Sequence, residues 1–301
     1  MRFKPLLFAL PVLALLALPA LRLPREGFVV LPQNRWEVSV VAGNASGFGA
    51  PDGLAWHAGQ LLLADEGGHA IEVLDEAGRP VKRIVQGPDT SSPEDLVIDT
   101  DGTIYFSDDN LGGIFKVDPA GNLTALVGPE SGLRSTEAIT LTPWNTILVG
   151  DGDAHRIFEV TKEGSVTIFA KYVKKPESMV FDSAQRLYLA DNEEGVIYRL
   201  EKGKPWTKLL TKREGISKPE SLAMHADSLY FTDPVEGRIQ RYSDRDGLET
   251  LAVLGGQLQN VQGITVADNG TVYVSIQSDL KNLKGYVIKL QERIPSELSR
   301  R

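Results

Sequence analysis

The stretch PEDLVIDTDGTIYFSD, residues 93–108, decides the fold of this chain. It opens on Pro93-Glu94, turns at Asp101-Gly102 between two apolar segments, and ends on Ser107-Asp108. Apolar residues that alternate with a period of two, on both sides of an Asp-Gly turn, are typical of an antiparallel β-hairpin. We therefore expect a hairpin whose first strand begins beside an acidic residue.

Similar stretches recur along the whole chain at a nearly constant spacing. Six copies open at Pro51, Pro93, Thr136, Pro176, Pro219 and Val261. Their steps are 42, 43, 40, 43 and 42 residues. A period of about 40 to 45 residues with several short strands per repeat is typical of a β-propeller. The sequence predicts an all-β fold, a six-bladed β-propeller of four-stranded blades, over residues 35–290.

The last repeat lacks a strand. Repeat six supplies three strands before a polar C-terminal tail, residues 291–301. Residues 36–41 precede the first repeat and alternate as an outer strand should. If this N-terminal strand joins the last blade, the ring closes and two open sheet edges disappear. We expect closure of this kind.

A second marker ends the hairpin in five of the six copies, where a small residue is followed by Asp. The five pairs are Ala64-Asp65, Ser107-Asp108, Gly150-Asp151, Ala190-Asp191 and Thr232-Asp233, and the sixth copy reads Ser275-Ile276. An Asp in such a place commonly accepts hydrogen bonds from backbone N–H groups. We expect Asp65, Asp151 and Asp233 to be structural latches, and we place Asp108, Asp109 and Asp191 at the channel mouth as supporting residues.

The charge of the chain argues against nucleic acid as a partner. The formal net charge is −8 over 301 residues, and no cluster of Lys and Arg is present to bind phosphates. Lysines such as Lys174 and Lys175 are interpreted as solvated loop charges. The chain contains no cysteine, so the domain depends on its core and on ring closure rather than on disulfides.

The first 25 residues have the features of a targeting segment. Arg2 and Lys4 precede an apolar run of 16 residues, 6–21, which is typical of a secretory signal. The run is short for a membrane span, yet Leu18 is unfavourable for cleavage after Ala20. A cleaved signal peptide and a retained membrane anchor both stay open. In either case the propeller is expected to be exported, periplasmic or extracellular, and soluble or tethered through residues 6–21.

The acidic openings of the repeats are the candidate site. The innermost strand of each blade lines the axial channel, so the residues that open these strands converge at one mouth. This ring consists of Asp52, Glu94, Glu137, Glu177, Glu220 and Gln262. Five carboxylates around one axis repel one another unless a cation lies among them. Hard oxygen ligands favour Ca²⁺, or Mg²⁺ or Mn²⁺. The alternative is that each opening is a turn whose carboxylate caps backbone N–H groups.

Two histidines are candidates for proton transfer at the same mouth. His69 and His155 occupy matching places before the third strands of blades one and three. Either could accept a proton from water or contact substrate, and both could equally be exposed loop residues. We place Glu94, Gln262 and His69 among the residues that contact substrate or support the site.

The repeats, and Pro51-Asp52-Gly53-Leu54-Ala55-Trp56 in particular, resemble the senescence marker protein/gluconolactonase/luciferin-regenerating-enzyme-like superfamily of six-bladed propellers, with strictosidine synthase-like proteins and paraoxonases as cousins. The resemblance covers about residues 45–290. It implies a divalent cation, usually calcium, that polarises a lactone or ester carbonyl while a carboxylate activates water. The metal positions correspond to Asp52, Glu137, Glu177 and Glu220, and Glu220 also serves as base. Asn is common in that family where this chain has Glu137 and Glu177.

The sequence leaves two main function classes open. The first is a metal-dependent lactonase or esterase in which Glu220 or His155 acts as base. The second is a non-catalytic propeller, exported or tethered, that binds a small ligand or a protein partner. A strictosidine synthase-like condensing activity is a third, weaker candidate. A hydrolase needs an open pocket at the mouth, whereas a scaffold could close its channel with Trp144 or with loop residues.

Overall fold

The computed structural model describes residues 27–33, 35–43, 46–75, 78–279 and 284–293. The predicted signal or anchor segment, 1–25, and most of the predicted tail, 291–301, lie outside these residues. The described chain is built of β-strands and turns, together with short 3₁₀ segments such as Pro129–Ser131.

Strands β1 (Gly27–Val30) and β2 (Trp36–Ala42) precede the repeats. Blade one consists of β3 (Pro51–His57), β4 (Gln60–Asp65), β5 (Ala70–Leu74) and β6 (Pro80–Gln86). Blade two consists of β7 (Pro93–Ile98), β8 (Ile104–Asp108), β9 (Gly113–Val117) and β10 (Leu123–Val127). Blade three consists of β11 (Thr136–Leu141), β12 (Ile147–Asp151), β13 (Arg156–Val160) and β14 (Val166–Lys171).

Blade four consists of β15 (Pro176–Phe181), β16 (Leu187–Asp191), β17 (Val196–Leu200) and β18 (Thr207–Leu210). Blade five consists of β19 (Leu222–His225), β20 (Ser228–Asp233), β21 (Arg238–Ser243) and β22 (Gly247–Gly256). Blade six consists of β23 (Val261–Val266), β24 (Val272–Asp279), β25 (Lys284–Glu292) and β2. Within every blade the paired strands are antiparallel.

The predicted closure of the ring by the N-terminal strand is confirmed. β2 pairs antiparallel with β25 as the outermost strand of blade six, with Val38 opposite Leu290. The same ladder includes Gln291 and Glu292, so the last strand runs two residues into the predicted tail. The six-bladed prediction is also confirmed.

Blade five has one strand more than the sequence suggests. β1 pairs with the outer strand β22, giving a five-stranded sheet in which Phe28 lies opposite Gly255. The ring of Phe28 occupies the space that a side chain at position 255 would need, because a Cβ there would lie 2.1 Å from the ring. Phe28 of the short strand β1 thus packs directly on Gly255 of β22.

The buried apolar residues that the structure describes form six core clusters, one between each pair of neighbouring blades. Along β4, for example, Leu61 and Leu63 pack towards blade six, whereas Leu62 and Ala64 pack towards blade two. Successive side chains of a strand point to opposite faces, so a strand with a core on both faces is apolar at nearly every position.

The Asp at the end of each second strand is a latch in all five blades that carry it. The Asp151 carboxylate accepts hydrogen bonds from the N–H groups of Arg134, Ser135 and Ala154 at 2.7, 3.3 and 2.8 Å. Asp65, Asp108, Asp191 and Asp233 accept backbone N–H groups at the matching places. Each latch fixes the loop that leads into its own blade, and this loop carries the acidic opening.

The small residue before the latch faces the next blade. The hydroxyl groups of Ser107 and Thr232 donate to the carbonyl oxygens of Glu137 and Gln262, both at 2.6 Å. At Gly150 a Cβ would lie 2.6 Å from the carbonyl oxygen of Pro176. A larger side chain here would displace the inner strand of the neighbouring blade, so this position holds the acidic ring in place.

Candidate functional site

A bulge lies at the start of the inner strand in five of the six blades. The pairing register shifts between Pro51 and Leu54, and equivalent shifts occur at the start of the inner strands β7, β11, β15 and β23. A bulge leaves a residue outside the ladder and redirects its side chain. In these five blades the inner strand therefore begins beside a ring residue that is free to point at the axis, whereas in blade five Glu220 precedes β19 (Leu222–His225).

The structure brings the five predicted carboxylates together around one small cavity. Its volume is about 20 Å³, enough for one water molecule or one ion. It is lined by Asp52, Gly53, Glu94, Asp95, Glu137, Glu177, Glu220 and Ser221. Gln262, the sixth predicted member, is buried but does not line this cavity.

Burial and the crowding of these carboxylates raise their pKa values. Burial is the main cause, and it raises the pKa of Asp52, Glu94 and Glu220 well above the ordinary range, with repulsion from neighbouring carboxylates adding to it. Burial and the charge of Glu177 raise the pKa of Glu137 to about 8. These shifts favour the protonated carboxyl groups, whereas a cation bound among them would favour the ionised forms.

Lys175 forms ion pairs with two of the ring carboxylates, so its interpretation as a solvated loop charge is wrong. Its Nζ atom is 2.6 Å from Oε1 of Glu177 and 3.6 Å from Oε1 of Glu137. Although burial disfavours the charged form, these two carboxylates raise the pKa of Lys175 above its ordinary value. Lys175 stands two residues before a ring position, where blades two and three have Ser92 and Ser135.

A second group of carboxylates lies on the side of blades one and two. Oxygen atoms of Asp52, Glu66 and Glu94 all lie within 4.8 Å of one another. The amide nitrogen of Gln277 donates to Oδ2 of Asp52 at 3.1 Å and to Oε2 of Glu66 at 3.2 Å. Ser92 Oγ is 3.1 Å from Glu66 and 3.2 Å from Glu94.

Glu66 and Gln277 are not among the residues predicted from the sequence, although a signal for them exists. Both follow the end of the second-strand marker directly, in blades one and six. Asp109 and Asn192 occupy the same place in blades two and four. Asn192 Nδ2 donates to Oε2 of Glu220 at 2.5 Å, and the charge of Asp109 acts on Glu94. The position directly after the second-strand marker thus supplies further polar residues around the mouth.

The structure places Asp108 and Asp191 differently from the prediction. Both are buried, and their carboxylate oxygens accept backbone N–H groups, as in Ser91 to Asp108 at 2.8 Å and Lys174 to Asp191 at 2.8 Å. Their carboxylate oxygens are occupied by these hydrogen bonds, because the loop beside the strand end offers several N–H donors. It is the next residue in each blade that reaches the mouth.

The two candidate histidines adopt the same local geometry. His69 and His155 have φ angles of 50° and 52° in equivalent turns. Nδ1 of His155 lies 2.6 Å from the carbonyl oxygen of Lys174, and Nδ1 of His69 contacts that of Ser91. Both rings are exposed and tied to backbone, and neither lines the cavity.

The channel widens on the other side of the ring. A cavity of about 380 Å³ opens at the opposite face, and Asp95 and Ser221 line both cavities. Burial raises the pKa of Asp95 to about 7, although N–H groups of Leu96 and Ile139 oppose the shift. Trp144 lies at this far end, where its indole donates to Glu159 at 2.6 Å, so it does not close the acidic mouth.

Comparison with protein families and structures gives the following matches. The family model described as strictosidine synthase-like, N-terminal, matches residues 80–117, from β6 to the end of β9. The structure is similar to that of a candidate gluconolactonase, with a TM-score of 0.67 and 15% identity, covering 87% of this chain and 95% of the other. No curated protein sequence matches the chain.

Two further solved structures are similar over most of their length. Virginiamycin B lyase from Staphylococcus aureus has a TM-score of 0.63 and 16% identity, covering 86% of this chain and all 100% of the lyase. Luciferin-regenerating enzyme has a TM-score of 0.66 and 12% identity, covering 85% of this chain and 95% of the enzyme. Similarity at these identities shows the fold.

Proposed function

We propose that this chain, a six-bladed propeller that resembles the senescence marker protein/gluconolactonase/luciferin-regenerating-enzyme-like superfamily, is a divalent-cation-dependent hydrolase of a lactone or an ester. The reaction takes place at the acidic mouth of the channel. The proposal includes export of the propeller by the segment 1–25. No helix in the described part of the chain has the length and apolar character that a membrane crossing requires.

The observation that carries the proposal is the excess of carboxylates around one small cavity. Five ring carboxylates line it and Glu66 lies close to two of them, and within the described residues Lys175 is the cation paired with ring carboxylates. Carboxylate oxygens at this density fit a hard divalent cation such as Ca²⁺, Mg²⁺ or Mn²⁺. The donor set contains neither Cys nor a contacting His, which argues for these ions over zinc or copper. Bound there, the ion would polarise the carbonyl of the substrate.

Glu220 is the proposed base. It lines the cavity, and burial together with the charges of Glu177 and Asp52 raises its pKa, so its carboxylate is a stronger proton acceptor than an exposed one. Asn192 holds its Oε2 atom by a hydrogen bond of 2.5 Å. The Glu220 carboxylate takes a proton from water as the water oxygen bonds to the carbonyl carbon. The C–O bond of the ester or lactone then breaks, and the proton passes to the leaving oxygen.

The size of the cavity limits where substrate binds. A volume of about 20 Å³ accommodates an ion and not an organic molecule, so the substrate would bind above the ring, towards solvent. Lys175 neutralises part of the charge there through its ion pair with Glu177. This observation favours the second candidate function, a non-catalytic propeller that binds a small ligand or a protein partner. The two candidates differ in whether ester bonds are cleaved.

Hydrolysis of a panel of lactones and esters tests the proposal. We expect turnover by the full-length chain in Ca²⁺ that EDTA abolishes, and a loss of about 100-fold or more in Glu220→Gln, because a positioned general base contributes about that much. Glu163→Gln makes the same change at an exposed carboxylate and should leave the rate unchanged. Turnover that is insensitive to EDTA, or equal in Glu220→Gln, would contradict the mechanism. Absence of turnover on the whole panel with bound cation would favour the binding propeller.

A further inference from the structure

We propose that a cavity between blades three and four binds a small planar molecule that has two or three aromatic rings and one anionic group. The cavity has a volume of about 420 Å³, and the turns that follow β11, β15 and β17 line it. The acidic ring lies at the other end of β11 and β15, so the cavity opens on the face opposite the mouth. The inference goes beyond the proposed hydrolysis and does not depend on it.

Aromatic and aliphatic side chains form the walls of this cavity. Trp144, Phe169 and Phe181 contribute rings, and Leu187 and Leu200 contribute aliphatic surface. Ligand cavities in proteins usually have volumes of about 300–1,000 Å³ and are mostly apolar with a few polar groups. An apolar cavity of about 150 Å³ holds one benzene ring, so a cavity of about 420 Å³ suits two or three rings.

Contacts with neighbouring side chains fix the indole of Trp144 in place. Its Nε1 atom donates to Oε1 of Glu159 at 2.6 Å, and the hydroxyl group of Thr146 donates to the same oxygen at 2.7 Å. The indole meets the ring of Phe181 edge to face, with centroids 5.5 Å apart. Trp144 is nevertheless 49% exposed and lines the cavity. A ligand that packs on a wall held in this way loses little free energy to ordering of the protein.

The tryptophan is a departure from the repeat. In its turn, the N–H group of Thr142 donates to the carbonyl oxygen of Thr146, and that of Asn145 donates to the carbonyl oxygen of Thr142. The same two hydrogen bonds recur in the turns 99–103, 182–186 and 267–271, where the residues in the place of Trp144 are Asp101, Ala184 and Asn269. The turn therefore does not require an aromatic residue. A half-exposed ring that lines a concave apolar site indicates contact with a ligand.

Lys202 supplies the charge that favours an anion. It is exposed, lines the cavity and forms no ion pair within the described residues. The neighbouring carboxylate of Glu201 is already paired, since Lys204 Nζ lies 2.5 Å and Arg199 Nε lies 3.5 Å from its oxygen atoms. A ring system with a carboxylate or a sulfonate would place its anion beside Lys202 and its rings against Trp144.

Fluorescence titration of the full-length chain with anilinonaphthalene sulfonate tests the site, because this dye combines aromatic rings with one sulfonate and fluoresces when it leaves water. We expect one bound dye per chain. Trp144→Ala should weaken binding by about tenfold or more, since an aromatic wall of the cavity is lost. Tyr172→Ala removes a ring that is 93% exposed and lies outside the cavity, and it should leave the affinity unchanged. Circular dichroism and the melting temperature of each variant establish that it is folded.

Phenylnaphthylamine, which has the same rings without the sulfonate, tests the role of charge. Lys202→Gln should weaken binding of the sulfonate dye by about threefold, as expected for a partly exposed ion pair, and should leave binding of the neutral dye unchanged. Lys174→Gln makes the same substitution at an exposed lysine on the mouth face and should affect neither dye.

The outcomes are independent of whether the acidic mouth binds a cation or cleaves esters. Equal affinity of Trp144→Ala and the unchanged chain for the sulfonate dye, or no binding by either, would overturn the site. Equal effects of Lys202→Gln on the two dyes would overturn the assignment of an anionic ligand. EDTA should not alter binding, and binding that EDTA abolishes would place the dye at the mouth and contradict the proposal.

Discussion

Glu137 shows how the place of a single residue in the ring changes its pKa. Its carboxylate is held by Ser135 Oγ at 3.2 Å and lies near Lys175, yet burial and Glu177 raise its pKa from 4.5 to about 8. The proton that Glu137 keeps in the folded protein is released from the unfolded chain above about pH 4.5. Folding is thus linked to proton uptake at the mouth.

The metal-stripped protein should therefore lose stability as the pH rises from about 5 to 8. The folded state binds more protons than the unfolded state in this range, so the contribution of Glu137 is complete below pH 4.5 and disappears as the pH passes about 8. Thermal melting in EDTA at several pH values measures it. Glu137→Gln should flatten the decline, whereas Glu163→Gln should not. A melting temperature that is constant or rises over this range would be inconsistent with the raised pKa.

At the scale of the element, the end of the second strand performs two tasks in blades one, two and four. The latch Asp fixes the loop before its own inner strand, and the residue after it faces the mouth. In blade three the latch is Asp151, which is fully buried, and the next residue is Gly152. One strand end thus connects the stability of a blade to the position of its acidic residue.

Asp151→Ala should lower the free energy of unfolding by about 3 kcal/mol. The N–H groups of Arg134, Ser135 and Ala154 would lose their acceptor, and each unsatisfied group costs about 1 kcal/mol or more. Urea denaturation measures the loss. Asp153→Ala removes an exposed carboxylate two residues away and should change stability by less than about 0.5 kcal/mol. Equal effects of the two substitutions would show that the latch contributes little.

At the scale of the whole molecule, stability depends on how the ring is closed. β2 is the outer strand of blade six, and its Trp36 is buried in the core between blades five and six. β1 only adds an edge to blade five, and its side chains at Phe28 and Val30 are largely exposed. The two N-terminal strands are neighbours in sequence, but β2 should contribute much more to stability than β1.

Two truncations should separate their roles. A chain that begins at Leu31 lacks β1 and should remain a folded monomer with a moderately lower melting temperature. A chain that begins at Gly43 also lacks β2, exposes the edge of β25 and the core around Trp36, and should aggregate or unfold. Size-exclusion chromatography and circular dichroism measure both. A stable monomer without β2 would contradict closure by this strand.

Much of the ring could be predicted because the repeats impose it. Glu94 and Glu177 open equivalent strands, so a constant period places them at the same height of the channel. Glu66 and Gln277 could have been found by reading the residue after each second strand. The ion pairs of Lys175 could not be predicted, because a lysine in a loop is ordinarily solvated and its partner Glu137 belongs to the preceding blade.

The sequence by itself determined the number of blades, the strand that closes the ring and the carboxylates that face the channel, because these follow from period, alternation and turn chemistry within each repeat. Only the tertiary structure decided how the charges pair. The contacts at the mouth are made mostly between different blades. Lys175 pairs with Glu177 and Glu137, and Gln277 donates to Asp52 and Glu66. Their geometry depends on bulges, side-chain rotamers and burial, which arise when the six blades are packed around one axis.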